Sequence, residues 1–192
     1  MKTKSLSAFI CVHLRPIIVF SLAVLTACSP RSKPLPVYNQ VPDFVLTAQS
    51  GREFRRQALE GKVWVADFIF TTCAGPCPRM SSQMHQLQTQ VKDVTLVSFT
   101  VDPEHDTPQV LADYARKFQA EPDRWYFLTG SRDNLQVVMR QAFMLGDVNM
   151  AHSTRFVLVD RKGRVRGYYE TTDAGDLKRL AGDIGRLNRE TS

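Results

Sequence analysis

Apolar and polar positions along this chain fall into blocks whose period changes from segment to segment. Val63 to Phe70 (VWVADFIF) and Val94 to Val101 (VTLVSFTV) are nearly continuous apolar runs, rich in β-branched and aromatic residues. Each is too short for an ordinary helix, so each predicts a strand buried on both faces. Helical spacing appears between and after them. Met80, Met84, Leu87 and Val91 predict a helix from Pro76 or Cys77 to about Val91, and Val110, Leu111, Tyr114, Ala115 and Phe118 predict a second, with Thr107 as N-cap and Pro108 in its first turn. Phe44 to Thr47 and Glu53 to Arg55 flank the turn residues Gln49 to Arg52 and read as a hairpin. Trp125 to Leu128 reads as a short strand, and Ser131 caps a third helix through Phe143. Arg155 to Asp160 and Val165 to Glu170 are strands joined by Arg161 to Arg164, hence antiparallel, and a last helix runs from Asp173 to Asn188. Helices alternating with buried strands, with a late antiparallel pair closing the sheet, predict an α/β fold: a mixed central sheet flanked by helices.

The ends have a different character. Lys2, Lys4 and Arg15 precede an apolar stretch, Pro16 to Ala27. It is shorter than the roughly 20 residues a lone spanning helix needs, and suits the core of a secretory signal. It ends in Leu25-Thr26-Ala27-Cys28, which resembles the lipobox of bacterial lipoproteins; that resemblance implies a signal peptide over 1–27 and a lipid on Cys28. Residues 28–41 hold three prolines and few bulky apolar side chains, as a tether would. The folded domain is then expected over 42–192, facing the periplasm or another extracytoplasmic space.

Composition narrows the chemistry. The 192 residues are 43% hydrophobic, enough for a core, and carry a net charge of +6. Loss of residues 1–27 removes three basic and no acidic residues and leaves +3. With no basic stripe interleaved with aromatics, nucleic acid is not an expected partner. Of four cysteines, Cys11 lies in the signal and Cys28 at the lipobox, so the domain keeps Cys73 and Cys77.

These two sit in FIFTTCAGPCPRM, just after the first buried strand and at the start of a helix. The carboxyl end of a central strand is where open α/β sheets place ligands. A helix N-terminus favours thiolate, so a lowered cysteine pKa is expected there. A disulfide closing five residues restricts the unfolded chain little, which argues against a purely structural staple. A redox couple and two legs of a metal site both remain. Two cysteines exclude a four-thiolate zinc site, whereas two thiolates with an imidazole suit copper. Of the three histidines after residue 27, His85 stands about 12 Å along the helix from Cys77. His105 lies among the charges of Asp102 to Asp106 and is expected to be solvated. His152 precedes the strand Arg155 to Asp160 and reaches the pair if that strand lies near the cysteine strand.

Three segments, WVADFIFTTCAGPCPRM, TVDPEHDTP and AHSTRFVLVD, in that order and spacing, resemble the Sco/SenC family of copper-assembly proteins over about residues 42–190. The resemblance implies a thioredoxin-like fold and copper, as Cu(I) or Cu(II), bound by Cys73, Cys77 and His152. It implies a redox-active Cys73–Cys77 disulfide, membrane anchoring, and assembly of the dinuclear copper centre in subunit II of cytochrome c oxidase, with copper donors and thiol reductants as further partners. Some members resemble thiol–disulfide oxidoreductases acting on the cysteines of that subunit, which is the alternative reading; a thiol peroxidase of the same fold class is a third. The chain departs from the family pattern in its Ala74-Gly75-Pro76 tripeptide, in Ala151 where an acid often precedes the histidine, and in a short 143–151 segment. Asp102 and Asp106 are candidates for supporting the site from behind, and Met144 and Met150 lie near His152 in sequence.

Overall fold

The computed structural model describes residues 33–143 and 154–190. Its elements run in the order β1 (Asn39–Gln40), β2 (Val45–Ala48), β3 (Glu53–Arg55), a 3-10 turn (Arg56–Leu59), β4 (Trp64–Ile69), α1 (Pro76–Gln90), β5 (Thr95–Thr100), α2 (Pro108–Lys117), β6 (Trp125–Thr129), α3 (Arg132–Phe143), β7 (Arg155–Val159), β8 (Arg164–Glu170) and α4 (Ala174–Arg189). The strands form one mixed sheet in the order β1-β8-β7-β4-β5-β6-β2-β3. β4, β5 and β6 are parallel neighbours, and β7 and β8 complete one side as an antiparallel pair.

The two apolar runs occupy the middle of the sheet, and every residue of β4 and β5 is buried. Alternation along β4 divides the core. Trp64, Ala66 and Phe68 face a layer containing Leu135, Val138, Met139 and Phe143 of α3. Val63, Val65 and Ile69 face Met80 and Met84 of α1, Leu111 and Tyr114 of α2, and Leu180 and Ile184 of α4. Side chains that stand on opposite faces of a strand require helices on both faces, and the chain supplies them. The Phe143 ring meets Phe68 at 5.1 Å and Phe99 at 5.7 Å between centroids, closing the α3 side.

Local chemistry sets the helix starts. Thr107 accepts from the Val110 N–H at 3.3 Å, Ser131 from Asn134 at 3.2 Å, and Asp173 from Gly175 and Asp176. Val110, expected on the apolar face of α2, is 37% exposed; the covered stripe there is Leu111, Tyr114 and Ala115. The fold also takes in residues that the sequence reading assigned to the tether. The compact unit begins at Pro34. β1 pairs antiparallel with β8, Asn39 opposite Val165. The buried Arg166 donates to the carbonyls of Leu35 at 2.7 Å and Pro36 at 2.9 Å while pairing with Asp160 at 2.7 Å.

Arg166→Ala removes a buried cation and leaves two carbonyls without a donor. It is expected to lower stability by about 3 kcal/mol, read from urea unfolding, and to open residues 34–40 to limited proteolysis before the rest of the domain unfolds.

Candidate metal and thiol centre

Cys73 and Cys77 emerge where the sequence places them. β4 ends at Ile69, a tight turn follows in which the Cys73 N–H donates to the Phe70 carbonyl at 3.1 Å, and α1 begins at Pro76. Proline suits this first turn because its missing N–H has no helical partner to lose. Both thiols are free; Cys73 is half-buried and Cys77 is 2% exposed.

The pair is electrically asymmetric. Burial opposes ionisation of Cys73, but the hydrogen bond from the Cys77 thiol and the backbone groups of Cys77 and Gly75 outweigh it, and its pKa falls below the ordinary thiol value. Burial, above all, and then the hydrogen bond to Cys73 push Cys77 up to about 12. The expectation that a helix N-terminus lowers a cysteine pKa therefore fails at Cys77: it is closed in against Ile69 and Met80, and desolvation outweighs the helix dipole. The dipole and the free N–H groups serve Cys73 instead.

The turn is held from beneath by Asp106. Its carboxylate is fully buried and accepts from the Thr71 N–H, the Thr71 hydroxyl and the Thr100 hydroxyl. This joins the β4–α1 loop to the β5–α2 loop, so Asp106 supports the centre as expected. Asp102 points outward and binds the exposed His105 Nδ1 at 2.7 Å.

One group was missed. Asp67 sits between Val65 and Ile69 on the face of β4 turned toward α1 and α2, and it is completely buried. Its register partner on β5 is Ser98, whose hydroxyl accepts from Trp125 Nε1 at 2.9 Å. Ser98 favours the ionised form of Asp67 weakly, yet no group completes hydrogen-bond geometry to either carboxylate oxygen among the described residues. Desolvation dominates and raises its pKa to about 7. Its charge also weighs on Cys77 and on Tyr114, whose hydroxyl lies 3.1 Å from Ser81 Oγ. A lone acid within a run otherwise fit for a two-faced buried strand was the available signal.

His152, Cys28, Met144 and Met150 lie outside the described residues. β7 is the antiparallel neighbour of β4, with Val157 opposite Ala66 and Val159 opposite Trp64. The chain therefore enters β7 at the end of the sheet where β4 delivers Cys73, and His152 precedes Arg155 by three residues. The condition on which the histidine reading depended, adjacency of these two strands, is met. Among the described residues no three His, Cys, Asp or Glu side chains converge as a metal site, and no helix is long and apolar enough to cross a membrane.

The SCO1/SenC family model matches residues 33–188. The chain belongs to the SCO1/SenC family. It is 32% identical to the SCO1 protein homolog of Bacillus subtilis strain 168, over 83% of this chain and 89% of that one. Among solved structures it resembles a SCO1/SenC family lipoprotein of Bacillus anthracis, at TM-score 0.72 and 34% identity, over 82% of this chain and 99% of that one. BsSco, a member of the Sco family of cytochrome c oxidase assembly proteins in which a disulfide switch was identified, matches at TM-score 0.73 and 30% identity, over 83% and 100%. The fold extends to yeast Sco1 with copper bound, at TM-score 0.69 and 22% identity, over 82% and 97%. The fold is thioredoxin-like, as the resemblance implied.

Asp67 makes a pH prediction. Its folded pKa lies above that of an unfolded aspartate, so between about pH 4 and 7 the folded state binds the extra proton. Stability is then fully present below about pH 4 and declines as pH rises toward 7, by up to the order of 4 kcal/mol. Asp67→Asn should flatten that slope in urea titrations of the reduced protein between pH 5 and 8; an unchanged slope would contradict the assignment.

Proposed function

We propose that this chain binds one copper ion through Cys73, Cys77 and His152, at the outer face of a membrane, and delivers it to the dinuclear copper centre of a cytochrome c oxidase. The observation that carries the reading is the thiol pair at the open end of β4, one member favouring thiolate and the other buried directly behind it. Soft sulfur donors select Cu(I), and copper is the cargo of such a site. Yeast Sco1 holds copper on this fold. The entry of the chain into β7 beside the thiols supports an imidazole from His152 as the third donor.

The residues divide the work. Cys73, the more accessible thiol and the one whose pKa is lowered, meets the incoming ion first. Cys77 must lose its proton to ligate, so metal binding releases protons and strengthens with pH. Asp106 keeps the Thr71 to Cys73 turn in place during exchange. Membrane attachment through a lipid on Cys28 agrees with the lipoprotein nature of the Bacillus anthracis relative.

A second reading rests on the same asymmetry. Cys73 thiolate attacks a disulfide of a client such as oxidase subunit II, forming a mixed disulfide and releasing one client thiolate. Cys77 loses its proton and attacks Cys73 sulfur, releasing the second client thiolate. The client gains two electrons, and a Cys73–Cys77 disulfide remains for another reductant to reopen. The disulfide switch of BsSco favours this couple, and the oxidised pair would not hold copper.

Copper titration of the reduced protein separates the two. Cys73→Ser and Cys77→Ser should each abolish tight binding of both oxidation states. His152→Ala should weaken Cu(II) far more than Cu(I), because Cu(II) prefers nitrogen and more ligands, and should bleach the thiolate-to-Cu(II) charge-transfer band. His85→Ala and His105→Ala should bind normally. Full Cu(II) affinity and colour in His152→Ala would remove it as a ligand, and indifference of all three histidine variants would favour the oxidoreductase.

Thiol reactivity gives a second test that needs no metal. In the reduced protein Cys73 should alkylate first and at lower pH than an ordinary thiol, while Cys77 stays unreactive until the fold opens. Equal rates at the two positions, followed by mass spectrometry of the labelled peptides, would contradict the asymmetry.

A further inference from the structure

The end of the domain opposite the thiols carries a feature that the copper chemistry does not use. β4 and β5 run parallel, so their first residues lie at the far end of the sheet from Cys73. There Val63, Val94 and Thr95 line an open cleft of about 360 Å³, whose charged walls are Lys62, Lys92, Arg124 and Arg161 against one acid, Asp93.

The arginines are built into this end. Arg124 Nη2 donates to the carbonyls of Gln88 at 3.0 Å and Val91 at 2.9 Å, and Arg161 to those of Leu187, Asn188 and Glu190. They cap the last turns of α1 and α4 and answer the negative ends of both helices. Of the nearby acids, Glu121 pairs with Arg124, Asp160 with Arg164 and Arg166, and Glu190 with Arg166, while Asp93 and Asp123 form no ion pair among the described residues and offset part of the positive charge. The lysines are left in excess. Lys62, Lys92 and Lys162 are exposed and form no ion pair among the described residues. The turn carrying Lys162 adjoins Lys62, because the Gly61 N–H donates to the Arg161 carbonyl at 3.0 Å.

The start of the domain arrives at the same end. Arg166 grips the carbonyls of Leu35 and Pro36 and reaches Glu190 Oε2 at 3.3 Å, and the Glu190 carbonyl is in turn taken by Arg161. The chain thus enters the fold beside the cleft, and in sequence it carries Arg31 and Lys33 between Cys28 and that point.

We propose that this basic face docks on the anionic phosphate headgroups of the membrane to which the N-terminal segment leads, and thereby holds the thiol end outward toward its client. The proposal rests on the membrane-anchored reading above for proximity, but its charge argument is independent. Each lysine within a Debye length of an anionic surface strengthens docking about fivefold. Lipid phosphates and free phosphate offer the same oxygens, and the test separates them.

The mature full chain is placed with vesicles of phosphatidylcholine alone, or with roughly a third phosphatidylglycerol, and amine labelling by a neutral ester is followed residue by residue. Labelling of Lys62, Lys92 and Lys162 should slow several-fold on the anionic vesicles and recover in about half-molar salt. Lys178, in the second turn of α4 toward the thiol end, should label equally on both. In Lys62→Gln/Lys92→Gln, docking should weaken about 25-fold, restoring Lys162 to its rate on neutral vesicles. Equal labelling on both vesicles, or slowing at Lys178 instead, overturns the proposal. So does full slowing by inorganic phosphate on neutral vesicles, which would make the cleft a site for the free anion. Failure to float with neutral vesicles would count against the lipid anchor alone, since the anionic comparison is still readable.

Discussion

The Asp106 carboxylate is the constraint on which the thiol end of the molecule depends. Removed from solvent, it has to be satisfied by protein donors, and it takes the Thr71 backbone and hydroxyl from one loop and the Thr100 hydroxyl from the end of the neighbouring strand. A buried carboxyl group so bound fixes the path of the chain two residues before Cys73. The thiols then sit on a junction that is rigid below and open above. Such a junction suits exchange chemistry, in which an ion or a sulfur atom enters and leaves while the donors stay near their bonded positions.

Much of this arrangement is legible in the sequence because it is written in local terms. β4 and β5 are runs that only a doubly covered strand can bury, and Thr107-Pro108 and Asp173 mark helix starts that the structure reproduces. The cysteine pair at a strand–helix junction follows from the same reading. β1 is not legible. It has two polar residues in a proline-rich stretch, and it exists because β8, more than a hundred residues away, offers an edge, and because Arg166 holds the carbonyls before it. The two cysteines also defeat a local rule. Both lie near the same helix N-terminus, yet their pKa values move in opposite directions: burial lifts Cys77, while the hydrogen bonds to Cys73 outweigh its burial. Asp67 fails in the same way, since its side chain is polar in type and core in position.

Asp67 and Asp106 show how burial alone does not decide what a carboxylate does. Both are closed from solvent. Asp106 has three donors, the Thr71 N–H and the Thr71 and Thr100 hydroxyls, and they hold it in place. Asp67 lacks donors of good geometry, and desolvation moves it toward neutrality. A fold retains such a group at a cost in stability. Its position, on the α1-facing side of the strand that ends at Cys73, places that cost beneath the thiol pair, where its charge bears on Cys77 and Tyr114.

The unequal burial of the two thiols reconciles the two proposed activities, copper carriage and thiol exchange. A carrier has to capture an ion tightly and also release it, and two fully exposed thiolates would oxidise readily in an extracytoplasmic space. Here Cys73 is the more accessible thiol, with its pKa lowered, and Cys77 is buried behind it and pushed up to about 12. Copper binding and disulfide formation, as proposed, would both need the deprotonation of Cys77, and each would exclude the other. In both proposed reactions Cys73 is engaged first and Cys77 second, so one thiol pair would serve either client reduction or metal delivery according to what engages Cys73.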